Sequence, residues 1–193
     1  MLRRLYDWVL HLSEHRFAPS ALFGVSFAES SFFPVPPDLM LIPMILADRL
    51  KAWRFAIICT VGSVLGGVFG YFIGALLLDV IGTPIIAFYG LEDKMQSLSQ
   101  SYQDNGVWIV LLAGFTPIPY KVFTIASGVA ALNLPAFIIA SFVGRGARFF
   151  LLAGLLYFFG PAVRSFIERY LWAVTLVGGV LLVGGFFAIK FLI

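Results

Sequence analysis

Five charged side chains stand inside segments that are otherwise apolar. They are Glu29, Asp38, Lys121, Arg145 and Arg148. Each charge costs about 2.5–3.5 kcal/mol at the centre of a membrane helix unless it is paired or hydrated. Two interpretations stay open: the acids and bases pair and hold the helices together, or they line a hydrated cavity.

The types of these side chains indicate two kinds of chemistry. A desolvated carboxylate favours its neutral form, so Glu29 and Asp38 are candidates for a proton relay. Arg145 and Arg148 share one helix face and could form a phosphate clamp, because guanidinium forks match phosphate oxygens. Lys121 is a third candidate for contact with an anion or a headgroup. We expect removal of an acid to abolish transport and Arg145→Ala to lower the affinity for an anionic substrate.

The composition places these charges in a membrane protein. Of the 193 residues, 61% are hydrophobic and only 12% are charged, whereas soluble domains are about 25% charged. The formal net charge of +3 is too small to indicate nucleic-acid binding. Long apolar runs without alternating polarity favour helices over a membrane barrel. The sequence therefore predicts an all-α polytopic membrane protein.

Catalytic and metal-binding patterns have little support in the sequence. Cys59 is the single cysteine, and His11 and His15 could pair on a metal but no carboxylate spacing completes a site. There is no nucleophile–base pair and no phosphate-binding glycine loop. We therefore predict that the protein is not an enzyme and binds neither a cofactor nor a metal.

Two apolar segments are interrupted by prolines, which cannot stand inside a continuous helix. The first covers residues 17–47 and the second covers residues 107–134. Their turn prolines are Pro34, Pro36, Pro37, Pro117 and Pro119. Because each arm is too short for a hydrocarbon core of about 30 Å, both segments are predicted to be re-entrant hairpins.

The remaining apolar runs predict about three transmembrane helices, at Phe55–Leu78, Pro135–Phe159 and Tyr170–Ile189. Two interfacial amphipathic helices are expected, one in residues 1–16 and one that ends at Asp104-Asn105-Gly106. These assignments divide the chain into an N-terminal helix (1–16), a membrane core (17–160), and a C-terminal loop and helix (161–193).

A stripe of glycines follows one face of the first predicted span. Its members are Gly62, Gly66, Gly70 and Gly74. Small residues at this spacing let another helix backbone approach closely. We predict that the stripe is a helix-packing surface.

The two proline-broken segments are similar to each other, since Phe32–Asp38 aligns with Phe115–Lys121. Basic residues flank the first hairpin on both sides, while the loop after the first span is acid-leaning. The positive-inside rule then predicts that the two hairpins insert with opposite orientation. Inverted repeats with broken helices that meet at the midplane are a transporter architecture.

These segments also resemble the DedA family, known as the SNARE-associated or VTT-domain family. The resemblance lies in Glu-Ser-Ser-Phe-Phe-Pro-Val-Pro-Pro-Asp at 29–38, in Gly-Phe-Thr-Pro-Ile-Pro-Tyr-Lys at 114–121, and in Ala-Ser-Gly at 126–128. It covers about residues 17–160 and is greatest with the short bacterial YqaA-type members. It implies a multi-pass protein of the bacterial inner membrane with two facing re-entrant hairpins.

The resemblance also implies functional residues. The acids of the first family motif correspond to Glu29 and Asp38. The second motif usually has an arginine before its Phe-x-Pro and another shortly after it, where this chain has Gly114 and, shifted by one, Lys121. This departure leaves specificity for a polyprenyl phosphate open, and Arg145 and Arg148 could supply the missing positive charge.

Three functions fit these observations. The first is a transporter, flippase or scramblase that moves a lipid or its phosphate headgroup across the membrane, with anionic lipids or polyprenyl phosphate and protons as partners. The second is a proton-coupled transporter of small solutes or cations that maintains membrane homeostasis. The third is a membrane-integrity protein that transports nothing. Nucleic acid is not expected as a partner, and a homo-oligomer is compatible with the sequence.

Overall fold

The apolar runs fold into helices in a computed structural model of the chain. It describes residues 17–33, 35–78, 92–116 and 118–169. The elements in order are α1 (Ala18–Ser31), α2 (Asp38–Ala47), a 3-10 turn (Arg49–Lys51), α3 (Ala52–Leu77), α4 (Glu92–Phe115), α5 (Tyr120–Val129) and α6 (Leu134–Arg169). No strand occurs within these ranges.

Some predictions concern parts of the chain outside the described residues. These are the N-terminal helix of residues 1–16, the histidine pair within it, the turn prolines Pro34 and Pro117, and the span Tyr170–Ile189.

Within the described residues, two helical stretches are long and apolar enough to cross a membrane. They are Arg49–Leu77, with 29 residues, and Leu134–Gly160, with 27 residues. At a rise of 1.5 Å per residue each is about 40 Å long, which exceeds the hydrocarbon core of about 30 Å. The long apolar helices predicted at Phe55–Leu78 and Pro135–Phe159 are therefore confirmed.

Both proline-rich segments break the helices where the sequence predicts a break. α1 ends at Ser31 and α2 begins at Asp38, while α4 ends at Phe115 and α5 begins at Tyr120. Pro37 and Pro119 occupy the cap positions of α2 and α5, where a missing N–H costs little. α1, α2 and α5 have 14, 10 and 10 residues, so each is at most about 21 Å long.

The predicted end of the second amphipathic helix at Gly106 is wrong. α4 continues through Asp104-Asn105-Gly106 to Phe115, so these three residues lie inside a helix and do not end one. A side chain at Gly106 would come within 2.7 Å of Leu132 Cδ1. The glycine therefore provides space for packing, and its helix penalty of about 1 kcal/mol is offset by tertiary contacts.

The loop predicted to begin at residue 161 is also wrong over residues 161–169, because α6 continues to Arg169. Pro161 has no N–H for the carbonyl of Tyr157, one turn earlier. The Arg49 guanidinium donates to that carbonyl from 3.4 Å. Gly160 leaves space for Arg49, whose Cδ would lie 2.8 Å from a Cβ at that position. A partner from another element thus fills the gap in the helical ladder.

α3 and α6 form the centre of the helical core. α3 contacts α1, α2, α5 and α6, and α6 contacts α2, α3 and α4. The two 10-residue helices each pack on a long helix: α5 lies on α3, and α2 lies on α6. One apolar cluster surrounds Leu41, Cys59 and Phe149, and a second surrounds Val110 and Phe137.

The glycine stripe of α3 faces two neighbouring helices. A Cβ at Gly62 would lie 2.8 Å from the Phe23 carbonyl of α1, and one at Gly66 would overlap the Phe27 carbonyl. Further along, a Cβ at Gly70 would lie 3.2 Å from the Ser30 carbonyl, and one at Gly74 would overlap the Ile125 carbonyl of α5. Both contacts depend on residues without side chains, and they bring α1 and α5 onto the same face of α3.

Candidate functional site

Arg145 is the largest fully buried side chain in the described residues. It lies midway along the apolar part of α6, and its exposed fraction is 0%. An unpaired guanidinium costs several kcal/mol in such surroundings, so its partners define the site.

Glu29 of α1 is the direct partner of this guanidinium. Arg145 Nη2 donates to Glu29 Oε2 at 2.7 Å, and the Glu29 side chain is 14% exposed. The same guanidinium donates from Nε to Ser63 Oγ of α3 at 2.5 Å. Ser63 Oγ lies 2.7 Å from Ser30 Oγ, which donates to Glu29 Oε2 at 3.2 Å. The acid and the base are thus joined directly and through two hydroxyl groups, in a closed ring.

Aromatic rings cover the guanidinium of Arg145. Its Cζ lies 4.7 Å from the ring centre of Phe149 and 5.1 Å from that of Tyr120. Such cation–π contacts favour a cation where water is excluded. The Tyr120 hydroxyl donates to Ser141 Oγ of α6. Because Tyr120 is the first residue of α5 and Glu29 lies in α1, side chains from both proline-broken segments meet at Arg145.

One end of this arginine has no partner among the described residues. Arg145 Nη1 is buried and makes no hydrogen bond within this part of the chain. Buried polar groups are almost always satisfied, and an orphan donor is expected to have a functional or a solvent partner. Nη1 is therefore where an anion or a water molecule would be expected to bind.

A second ion pair lies on the same face of α6. Arg148 Nη2 donates to Asp38 Oδ2, with side-chain exposures of 23% and 19%. The other carboxylate oxygen, Asp38 Oδ1, is buried without a partner in the described ranges. Arg148 Cζ lies 5.9 Å from the ring of Phe149. α6 thus carries two guanidinium groups, one bonded to Glu29 of α1 and the other to Asp38 of α2.

The depth of the cluster follows from its place on the two long helices. Ser63 lies roughly 16 Å from the start of α3, and Arg145 lies roughly 16 Å from the start of α6. Both positions therefore lie near the middle of the helical stretches that are long enough to cross a hydrocarbon core of about 30 Å.

The remaining sequence-predicted residues lie outside this network. Lys121 is half-buried and makes no ion pair within the described part of the chain. Pro36, Pro37 and Pro119 lie in or beside the helix breaks, and their carbonyls accept backbone hydrogen bonds from the first turns of α2 and α5. The described residues contain no group of three or more His, Cys, Asp or Glu side chains that could hold a metal.

Residues 35–158 match the VTT domain, which is about two thirds of the chain. The chain belongs to the VTT-domain (DedA) family. Its membership, together with the two long apolar helices, makes it a membrane protein. The matched range includes the short helices α2 and α5 and the arginines Arg145 and Arg148.

Relatives of this VTT-domain protein extend over most of the chain. An uncharacterized protein of Haemophilus influenzae is 40% identical over 177 residues, which cover 90% of this chain and 92% of that protein. A protein of Histophilus somni is 37% identical over the same shares. Undecaprenyl phosphate transporter A of Staphylococcus aureus is 26% identical over 137 residues, 67% of this chain and 68% of that protein. No solved structure matches the chain.

Sequence reasoning missed the uncharged members of this VTT-domain site. Ser30 and Ser63 are single hydroxyls in apolar runs, and their contact joins helices that are 33 positions apart. Phe149 was detectable in principle, because it lies one helical turn after Arg145 on the same face. Tyr120 immediately precedes Lys121 in the second family motif, but only the packing of α5 shows that the tyrosine and not the lysine contacts Arg145.

Proposed function

We propose that the protein is a multi-pass transporter of the bacterial inner membrane that moves a lipid across the bilayer by its phosphate headgroup. The observation that carries the proposal is Arg145, which is fully buried near the middle of a long apolar helix and whose Nη1 has no partner within the described residues. Guanidinium groups match phosphate oxygens, and a relative carries the name of an undecaprenyl phosphate transporter.

The ends of the short helices support an anionic substrate. α2 begins at Asp38 and α5 begins at Tyr120, and these first residues contact Arg148 and Arg145. The first turn of a helix carries partial positive charge, which favours a nearby anion. Half-helices whose ends meet at the middle of the membrane are a common arrangement of transporter sites. We propose accordingly that both hairpins are re-entrant and oppositely oriented.

Each charged residue then has a role. Arg145 and Arg148 contact the headgroup, Glu29 and Asp38 hold the arginines when the site is empty and carry protons, and Lys121 draws the anion toward the site. Lipid chains would stay among the exposed apolar side chains that α3 and α6 present to the membrane.

A proton-coupled transporter of small solutes or cations is the second candidate. It is favoured by the two carboxylates at mid-depth, which are the groups that proton relays in membrane proteins commonly use. A protein that only maintains membrane integrity is the third, since the same ion pairs would hold its helices together.

The test is transport by purified protein in proteoliposomes. A fluorescent polyprenyl monophosphate is placed in the outer leaflet, and its movement inward is measured by chemical quenching. We expect wild-type protein to accelerate the movement, Arg145→Lys to slow it at least tenfold, and Lys51→Gln to leave it unchanged. The lysine variant keeps the buried charge but lacks the guanidinium fork. Lys51 is an exposed matched control that pairs with Asp48 at 2.6 Å.

Two results would overturn the proposal. If wild-type protein moves no lipid but a pH gradient drives cation flux, the second candidate is correct. If neither flux occurs and Arg145→Lys changes only the unfolding temperature, the protein has a structural role.

A further inference from the structure

The two ion pairs of the site contain equal numbers of acids and bases. Glu29 is bonded to Arg145 and Asp38 to Arg148, so the empty cluster carries no net charge. This neutrality is what a low-dielectric interior requires, because a net charge there costs several kcal/mol. Any anion that binds the arginines must preserve the same balance.

The polar and titratable groups that face the pairs come from five of the six described helices, and α4 adds none of its described residues to them. They are Glu29 and Ser30 of α1, Asp38 of α2, Cys59 and Ser63 of α3, Tyr120 of α5, and Arg145 and Arg148 of α6. Within the described residues no further acid or base is bonded to these pairs. The charge count of the cluster is therefore two acids against two bases.

The geometry of Arg145 makes the carboxylate and a phosphate competitors. A two-point contact through both terminal nitrogens of the guanidinium uses one N–H of Nη1 and one N–H of Nη2. Nη1 is without a partner in this part of the chain, and Nη2 already donates to Glu29. An anion bound in this way would lie beside the Glu29 carboxylate on the same guanidinium, and the repulsion between the two negative groups favours the departure of Glu29.

Protonation of Glu29 releases Nη2 without stranding the acid. A neutral carboxyl group is a hydrogen-bond donor, and Ser30 Oγ at 3.2 Å can rotate its own hydrogen away and accept this hydrogen bond. The Ser30 hydroxyl can then donate to Ser63 Oγ, which lies 2.7 Å away. The two serines thus satisfy both protonation states of the acid.

We infer that a phosphate-bearing lipid exchanges with the two carboxylates at Arg145 and Arg148, with one proton taken up for each carboxylate that is displaced. This inference rests on the proposed function and deepens it. A phosphomonoester carries a charge of about −1.5 to −2 at pH 7 and balances both arginines. It therefore binds with two protons, one on Glu29 and one on Asp38. A phosphodiester has one negative charge and binds with one proton, which leaves one carboxylate in place. Release of the lipid returns the protons to water, so each step is electroneutral.

Proton uptake on binding tests this exchange directly. Purified protein in weakly buffered detergent at pH 7.5 is mixed with farnesyl monophosphate, and a pH indicator counts the protons taken up per bound lipid. We expect close to two for wild-type protein and close to one for Asp38→Asn and for Glu29→Gln. In each neutralised variant one arginine has no carboxylate partner, so no proton is needed to displace a carboxylate from it. Asp48→Asn is the matched control, because Asp48 pairs with exposed Lys51 outside the cluster, and it should keep the wild-type count.

The pH dependence of the affinity gives a second measurement. By linkage, uptake of two protons raises the Kd by up to about 100-fold per pH unit, and uptake of one proton raises it by about tenfold. Wild-type protein should follow the steeper dependence and Asp38→Asn the shallower one. Asp38 pairs with Arg148, which is 23% exposed, whereas Glu29 pairs with the fully buried Arg145, so Asp38→Asn keeps the test decisive if Glu29→Gln does not fold.

The outcomes separate the inference from the proposed function. Saturable binding and transport without proton uptake, or with the same count in both acid variants, would overturn the exchange and leave the transporter intact. Absence of binding and of transport by wild-type protein would overturn both. In proteoliposomes a membrane potential alone should leave the flux of the monophosphate unchanged, while an inward proton gradient should increase it. A flux driven by the potential would contradict electroneutral exchange.

Discussion

The guanidinium of Arg145 lies 2.7 Å from the carboxylate of Glu29, although the two residues are 116 positions apart in the chain. This contact joins α1 to α6, and Ser63 connects both helices to α3 through Arg145 Nε. The arginine thus links three helices near the middle of the two long apolar stretches. Its structural and functional roles can be separated by experiment.

Loss of one partner should destabilise the protein more than loss of both. Glu29→Leu leaves the Arg145 charge buried without its acid and should cost about 3–5 kcal/mol. The double variant Glu29→Leu with Arg145→Met should recover most of this loss, because apolar side chains of similar size can replace a buried pair. Reversible unfolding in mixed micelles measures all three proteins. Equal stabilities of the single and the double variant would show that the pair is not coupled.

The same double variant separates packing from transport. We expect it to be folded and inactive with the fluorescent monophosphate. Wild-type flux from this protein would mean that the pair serves only the fold.

Gly66 should tolerate no side chain. A methyl group there would overlap the Phe27 carbonyl, so Gly66→Ala should separate α1 from α3 and cost about 1–3 kcal/mol or more. Gly24→Ala is the matched control on α1, since a Cβ at Gly24 has no neighbour within 4 Å. It should stabilise the helix by up to about 1 kcal/mol. Thermal unfolding in detergent compares the two, and similar unfolding temperatures would refute the close approach.

The turn between α5 and α6 contains a strained alanine. Ala131 has φ 51°, and its N–H and that of Leu132 close the helix end on Gly128 and Ser127. This bonding pattern usually places glycine at the left-handed position. Ala131→Gly should therefore stabilise the protein by about 0.5–1 kcal/mol. Ala130→Gly, at an ordinary φ of −80°, should destabilise it, and a gain there would contradict the interpretation.

Arg49 and Pro161 should be energetically coupled. Arg49→Met removes the donor to the Tyr157 carbonyl and should cost about 0.5–1 kcal/mol. Pro161→Ala restores an N–H to the helix, so Arg49→Met should then have little effect. A double-mutant cycle measured by unfolding in micelles detects the difference. Additive changes would mean that the guanidinium does not replace the missing helical hydrogen bond.

Much of the local structure was predictable because membrane helices are governed by apolar length and by proline. The long apolar helices α3 and α6 and both helix breaks follow from those two signals. The errors occurred at Gly106 and at Pro161, where local signals indicate an end to the helix. At both places the helix continues, because residues distant in sequence make contacts there. Leu132 packs against Gly106, and Arg49 donates to the Tyr157 carbonyl, for which Pro161 has no N–H.

The sequence by itself determined the membrane class, the family resemblance and the identity of the charged residues that need explanation. A low charge content makes each charge in an apolar run easy to identify. The cost of leaving such a charge unpaired in hydrocarbon is known without knowing its partner. Only the tertiary structure decided which acid meets which base, that Ser30, Ser63 and Tyr120 complete the site, and that Lys121 stands apart from both ion pairs. These are contacts between residues tens to more than a hundred positions apart, and they depend on helix packing that glycines permit. Helical periodicity specifies the face of one helix, but it carries no information on which face of another helix will lie opposite.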